Sequence, residues 1–207
     1  MSALSQPVFT ADQYLEWESQ QAEKHEYLAG EVFAMAGASD AHVTICGNLF
    51  AALRAHMRGK PCRAYIADMK LRLEAADAFF YPDVFVTCSA ADAQLEQFKR
   101  EPVLIVEVLS ASTAAYDRGH KFALYRQFPS LQEYVLIDSE RPEVDVFRRD
   151  AGGHWVLHPY GPGEEVALAS VGLTMPMAML YEDVRLDAAQ PFTAPITPPA
   201  TQAVSPG

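Results

Sequence analysis

The 207-residue chain predicts a mixed α+β/α/β domain, with a central mixed β-sheet flanked by helices. Three observations carry this. The run Val103-Leu104-Ile105-Val106-Glu107-Val108-Leu109 has large, mostly β-branched residues at both parities, the mark of a strand covered on both faces. Two longer stretches, near Asp40 to Met57 and Ala114 to Phe128, carry apolar residues at helical spacing. Short strand-like runs separated by turn residues continue to Leu168. The length suits one domain with a sizeable core, and the even mixing of helical and extended segments argues against two. Residues 1–186 are therefore assigned to a single domain.

Taken in order, Thr10 to Gln21 is a short helix: Thr10 can cap it, Gln13 can complete a capping box, and Tyr14, Leu15 and Trp17 supply its apolar surface. His25 to Leu28 and Glu31 to Met35 flank Ala29-Gly30 as a hairpin. Ser39 caps a helix from Asp40 to Met57, in which Ile45, Leu49 and Leu53 share a face, and Gly59-Lys60-Pro61 ends it. Cys62 to Ala67 and Met69 to Leu73 are strands, Ala75 to Ala78 is a turn, and Phe85 belongs to a third strand. Ala90 to Phe98 is a short helix or an irregular connection. After the buried strand, Ser110-Ala111-Ser112-Thr113 is a break, and Pro129 stops the helix that follows it. Glu133 to Ile137, Val144 to Arg148, His154 to Pro159 and Glu165 to Leu168 are further strands, and Met177 to Tyr181 is a last short helix. Beyond Leu186 fall five of the 14 prolines, with almost no charge, so 187–207 is expected to be a flexible tail.

Composition narrows the function. Net charge is −11, which weighs against a protein that grips nucleic acid through many phosphates, because counterion release favours basic surfaces. The cluster Arg54, His56, Arg58, Lys60 and Arg63 reads as a solvated helix surface. Cys46, Cys62 and Cys88 are odd in number and form no CxxC pair, so neither a disulfide framework nor a zinc knuckle is expected, and a reducing compartment is. No basic patch followed by an apolar stretch appears in Met1 to Thr10, and no apolar run approaches the roughly 20 residues of a membrane helix. The expected location is the cytoplasm, with no membrane. There is no HExxH, GxSxG or GxxxxGK[ST] motif, which removes support for a zinc hydrolase, a serine hydrolase or a phosphate-loop enzyme.

The chemistry centres on Glu107. An ionised carboxylate inside a doubly covered strand needs a cation, a hydrogen-bond network or a raised pKa. Asp83, in Tyr81-Pro82-Asp83-Val84-Phe85-Val86, is either a turn aspartate after proline or the partner acid in a metal site. On the helix after Glu107, Ala114, Leu124, Tyr125 and Phe128 define the apolar arc, and Lys121 falls near its middle with Asp117 at its edge. Lys121 is either an internal ion pair with Asp117 at i, i+4 or an ammonium held against metal-binding carboxylates. The helix doubles back along the sheet, and seven residues from Ala114 advance roughly 10 Å, enough to bring Lys121 level with Glu107. Two carboxylates from neighbouring strands suit Mg²⁺, with Mn²⁺ as a substitute, and such an ion can polarise a phosphodiester.

Tyr81-Pro82-Asp83, then Val106-Glu107-Val108-Leu109-Ser110, then Thr113, Asp117, Lys121 and Tyr125 resemble the Uma-two family, assigned to the PD-(D/E)xK superfamily of restriction-endonuclease-like proteins. The likeness extends upstream through Glu26-Tyr27-Leu28-Ala29-Gly30-Glu31 and His42, and downstream through Glu133-Tyr134, covering about Thr10 to Leu186. The resemblance implies a restriction-endonuclease-like core with additional antiparallel strands, metal binding by Asp83 and Glu107, and Lys121 as the third member of the triad. It also implies a further acid in the hairpin, for which Glu26 is preferred over Glu31; the alternative for either is a solvated strand residue. One departure matters: the superfamily's lysine lies two residues after the second acid, where this chain has Leu109. The function is carried over to Lys121 for that reason.

Among weaker candidates, Asp68 is either an outer support of the metal site or a bulge or turn aspartate. His42 is either a phosphate contact or a capping or exposed histidine. The expected function is Mg²⁺-dependent hydrolysis of DNA phosphodiesters; the alternative is a non-catalytic relative that binds nucleic acid or protein. A homodimer would supply the two sites that cutting both strands needs.

Overall fold

The computed structural model describes residues 9–35, 37–110 and 113–186. The expected tail, and Ala111 and Ser112 of the expected break, lie outside the described residues. Helix α1 (Ala11–Glu18) begins with the predicted capping box between Thr10 and Gln13. Strands β1 (His25–Leu28) and β2 (Glu31–Ala34) follow as a hairpin. Ala29 and Gly30 both have positive φ, +48° and +96°, the geometry that matches a two-residue turn to strand twist. Ser39 caps α2 (Asp40–His56) through the His42 amide, and Ile45, Leu49 and Leu53 face the core.

The chain then forms β3 (Arg63–Ile66), β4 (Lys70–Leu73), β5 (Ala78–Phe80), β6 (Val84–Thr87), the two-residue β7 (Phe98–Lys99) and β8 (Pro102–Leu109). Expectation and structure differ between Ala78 and Val84. In place of one strand around Phe85 there are two, interrupted at Tyr81-Pro82-Asp83, and they belong to different sheets. Pro82 has no amide to donate to a ladder, so the chain leaves one sheet and enters the other at that point. The segment Ala90 to Phe98 contains only a short 3-10 turn, Asp92–Gln94.

After β8 comes a continuous helical segment: α3 (Ala114–Tyr116), a π turn (Asp117–Lys121) and α4 (Phe122–Tyr125). The wider π turn is an interruption that helical periodicity does not reveal. Inside it the buried Tyr134 hydroxyl donates to the Asp117 carbonyl at 3.0 Å. Strands β9 (Glu133–Asp138), β10 (Val144–Arg149), β11 (Trp155–Tyr160), β12 (Glu165–Leu168) and β13 (Leu173–Pro176) complete the β structure, and α5 (Met177–Leu180) follows.

The central sheet runs β11-β10-β9-β8-β6-β3 and is mixed, because β8 and β9 are parallel and the other neighbours antiparallel. The helical segment is the crossover between the parallel pair. A second sheet, β2-β1-β5-β4-β7, forms a layer of its own, and β12 pairs with β13. One face of the central sheet, with Val84, Val86, Leu104 and Val106, packs on Ile45, Leu49 and Leu53 of α2. The other face, with Phe85, Ile105, Leu109, Tyr134 and Leu136, packs on Leu71 and Phe80 of the second sheet and on Tyr125 and Phe128. Strand alternation puts Glu107 on this second face, between the sheets.

The cysteine expectation is corrected. Cys62 and Cys88 form a disulfide, with Cα atoms 3.9 Å apart, and Cys46 is the free, buried cysteine. The antiparallel pairing of Arg63 with Thr87 sets their neighbours Cys62 and Cys88 opposite each other. Sequence spacing contains no trace of that register. The argument for a reducing compartment from unpaired thiols therefore loses its basis. Among the described residues no helix is long and apolar enough to cross a membrane.

The layered packing predicts a ranking of stabilities. Leu104→Ala, at a fully buried position of the central sheet, should lower the unfolding free energy by about 3 kcal/mol. Thr10→Ala, which removes an exposed cap, should cost about 1 kcal/mol. Urea unfolding monitored by circular dichroism measures both, and a reversed order would contradict the assigned core.

Candidate active site

The junction where the chain changes sheets is also where charge collects. Asp83 ends the crossing from β5 to β6. Because Val84 pairs with Val106, Asp83 lies beside Glu107, and its amide donates to Glu107 Oε2 at 3.4 Å. Asp83 Oδ2 accepts from the Val108 amide at 2.7 Å and lies 3.1 Å from His42 Nε2. The strand edge and α2 thus hold one oxygen of this carboxylate from two sides.

Glu107 is held from the crossover helix. Its Oε1 accepts from Lys121 Nζ at 3.0 Å and from the Tyr125 hydroxyl at 2.7 Å. Lys121 Nζ also lies 3.1 Å from Glu26 Oε1 and 3.7 Å from Asp117 Oδ1. The two readings of Lys121 therefore coexist: it pairs with Asp117 along its own helix and lies closer to Glu107 across the layer. Glu26 reaches the cluster from β1, where Tyr81 donates its amide to Glu26 Oε1 at 3.4 Å. Glu31, the other hairpin acid, is exposed.

Burial and charge set the protonation. Burial pushes the Glu107 carboxyl well above the ordinary carboxylate range, opposed by Lys121 and reinforced by Asp83, Asp117 and Glu26. For Lys121, burial alone pushes downward, but Glu107, Glu26 and Asp117 outweigh it and the ammonium form is favoured. Asp117 is raised by burial, with Lys121 opposing. Burial would lower His42, yet the Asp83 carboxylate, Asp117 and the Val108 carbonyl raise it overall.

Glu26, Asp83, Glu107, Asp117, His42 and Lys121 all line one cavity of roughly 770 Å³. Four carboxylates share it with two lysines, and only Lys121 is bonded to them, Lys24 being paired with Asp68. A divalent cation would offset that excess, and the oxygen donors of Asp83 and Glu107 match a hard ion such as Mg²⁺. The donor chemistry fits the metal that the sequence implies. Asp68 does not join the cluster. It is exposed and paired with Lys24, beside Ala67 with its φ of +53°, which matches its turn reading.

Two contributors escaped the sequence. Cys46, four residues after His42 on α2, places its Sγ 3.7 Å from His42 Nδ1. Among the described residues His42, Cys46 and Asp83 have ligand-type atoms within 4.8 Å of one another. Burial pushes the Cys46 thiol up, with Asp83 and Glu107 adding to the effect, so the protonated thiol is favoured. Tyr125, taken as core, is both core and a donor to Glu107. The i, i+4 spacings His42–Cys46 and Lys121–Tyr125 were the available signals.

The profile of the Uma2 family, described as "Putative restriction endonuclease", matches residues 11–178. The chain belongs to that family. It is 38% identical over 175 residues to the Synechocystis sp. protein named "Uncharacterized protein slr1290", covering 84% of this chain and 92% of that one. A second Synechocystis protein, "Uncharacterized protein sll1609", is 35% identical over 152 residues, covering 72% and 86%. The fold is similar to a crystal structure from Anabaena variabilis, described as that of a "putative nuclease", with a TM-score of 0.69 at 17% identity over 84% of this chain and 97% of the other.

Removing the ammonium should leave buried, uncompensated carboxylates. Lys121→Ala is expected to lower stability by about 3 kcal/mol, and adding Glu107→Gln should recover part of the loss. Urea unfolding of the single and double variants tests this, and a Lys121→Ala protein as stable as the wild type would contradict the buried pairing.

Proposed function

We propose that this protein is a Mg²⁺-dependent endonuclease that hydrolyses DNA phosphodiester bonds, with Asp83 and Glu107 as metal ligands and Lys121 as the third catalytic group. One observation carries the reading: Lys121, absent from its usual place two residues after the second acid, brings its Nζ within 3.0 Å of Glu107 from the next helix. The spatial arrangement of two acids and an amine is present although its linear spacing is not.

The residues divide the work. Asp83 and Glu107 would hold Mg²⁺, which, when bound, supplies Lewis-acid polarisation and a more acidic water. Lys121 and Tyr125 both donate to Glu107 Oε1, so that oxygen is fixed and Oε2 is left with only the long Asp83 amide contact among the described residues. His42 and the Val108 amide do the same for Asp83 Oδ2. The Lys121 ammonium, kept charged by its acidic neighbours, provides positive charge beside the reacting phosphate and does not serve as a base. Glu26 anchors it from the opposite sheet. A dimer would present two such sites to two strands. The cytoplasm remains the proposed location, without the support of unpaired cysteines. The non-catalytic alternative retains one support, the net charge of −11.

Incubation of DNA with purified protein should show cleavage that requires Mg²⁺ or Mn²⁺ and stops with chelator. Asp83→Ala and Lys121→Ala should each reduce the rate by about a hundredfold or more, with Asp83→Ala still giving a folded circular dichroism spectrum. Cleavage that survives both substitutions would refute the assignment.

A further inference from the structure

The mouth of the carboxylate cavity is apolar. The described residues expose seven large hydrophobic side chains, and four of them, Phe33, Met35, Val43 and Tyr116, line this one cavity. Each of three stands next to a cluster residue. Phe33 is the cross-strand partner of Glu26 in the β1–β2 hairpin. Val43 follows His42, and Tyr116 precedes Asp117. Phe33, Val43 and Tyr116 are 47%, 58% and 41% exposed, and Tyr116 lies against the His120 ring with centroids 5.3 Å apart.

The cations nearby already have acidic partners. Lys24 pairs with Asp68, Lys121 with Glu107 and Glu26, and Arg118 with Asp145 at 2.5 Å. A duplex is held chiefly through phosphates on its outside, and its base faces are hidden in the stack. An acidic protein with paired lysines at its site and aromatic edges around it is poorly made for that surface. A single strand offers in addition bases that are free to lie on rings, a contact that the stacked duplex withholds.

We propose that Phe33 and Tyr116 bind unpaired bases, so that the cavity takes single-stranded or locally unpaired DNA and draws one phosphate at a time toward Asp83 and Glu107. The identity of the polymer rests on the nuclease reading; the base-contacting role of the mouth rests on exposure, position and charge. The occupant is a DNA strand, seated on a surface continuous with the proposed catalytic cluster.

The test is fluorescence anisotropy with a labelled oligonucleotide, single-stranded or annealed to its complement, with Ca²⁺ in place of Mg²⁺. The single strand should bind at least about tenfold more tightly than the duplex, and Phe33→Ala and Tyr116→Ala should each weaken single-strand binding about tenfold. Both side chains are exposed, so neither variant threatens the core. Equal or tighter duplex binding would overturn the proposal, as would variants within about twofold of wild type. The two readings fail separately. Single-strand binding with the expected variant losses, but no Mg²⁺-dependent cutting, removes the nuclease and keeps the base-binding mouth. Mg²⁺-dependent duplex cutting that is unchanged in both variants keeps the nuclease and removes the mouth.

Discussion

The buried contact between the Lys121 ammonium and the Glu107 carboxylate is the constraint on which the rest of the site depends. A carboxylate in the middle of a doubly covered strand is costly to keep charged, and a lysine on the inner side of a helix is equally costly. Each accounts for the other, and together they fix how the crossover helix lies on the central sheet. The π turn at Asp117–Lys121, with Tyr134 donating to the Asp117 carbonyl, belongs to the same arrangement. Glu26 extends it to the second sheet, so three separate elements close on one cation.

The second sheet gives the site its depth. Because the chain switches sheets at Tyr81-Pro82-Asp83, Asp83 stands at the rim of the interlayer space while Glu107 stands inside it. The β1–β2 hairpin supplies a wall with Glu26 on one strand and Phe33 opposite it. The result is an acidic floor beneath an apolar mouth. In the proposed reading the floor would take the phosphate through a metal ion and the mouth would take the base.

What could be seen in the sequence was local or periodic. The Thr10–Gln13 box, the Ser39 cap, the Ala29-Gly30 hairpin and the double-sided burial of Val103–Leu109 each depend on residues close together in the chain. Lys121 was legible for the same reason, since a charge inside an apolar helical arc is visible on a wheel. The division into two sheets was not, because Ala78–Phe80 and Val84–Thr87 look like one extended run and only long-range pairing separates them. The Cys62–Cys88 bond depends on the register of β3 with β6, which no spacing reports. Tyr125 was hidden behind its place in the apolar arc and Cys46 behind the count of unpaired cysteines, while Asp68, left between a metal-site support and a turn aspartate, pairs with Lys24. The family likeness suggests an acid in the hairpin without separating Glu26 from Glu31; the place of Glu26 beside Lys121 depends on the β1–β5 pairing.

The central claim is that Asp83 and Glu107 share one divalent cation while Lys121 stays at its side. The most direct measurement is an anomalous difference map from crystals soaked in Mn²⁺. The account predicts a peak within coordination distance of oxygens from both Asp83 and Glu107, with Lys121 Nζ still bonded to Glu107. A map with no peak between those two carboxylates, or with the ion held by His42 and Cys46 instead, would contradict it.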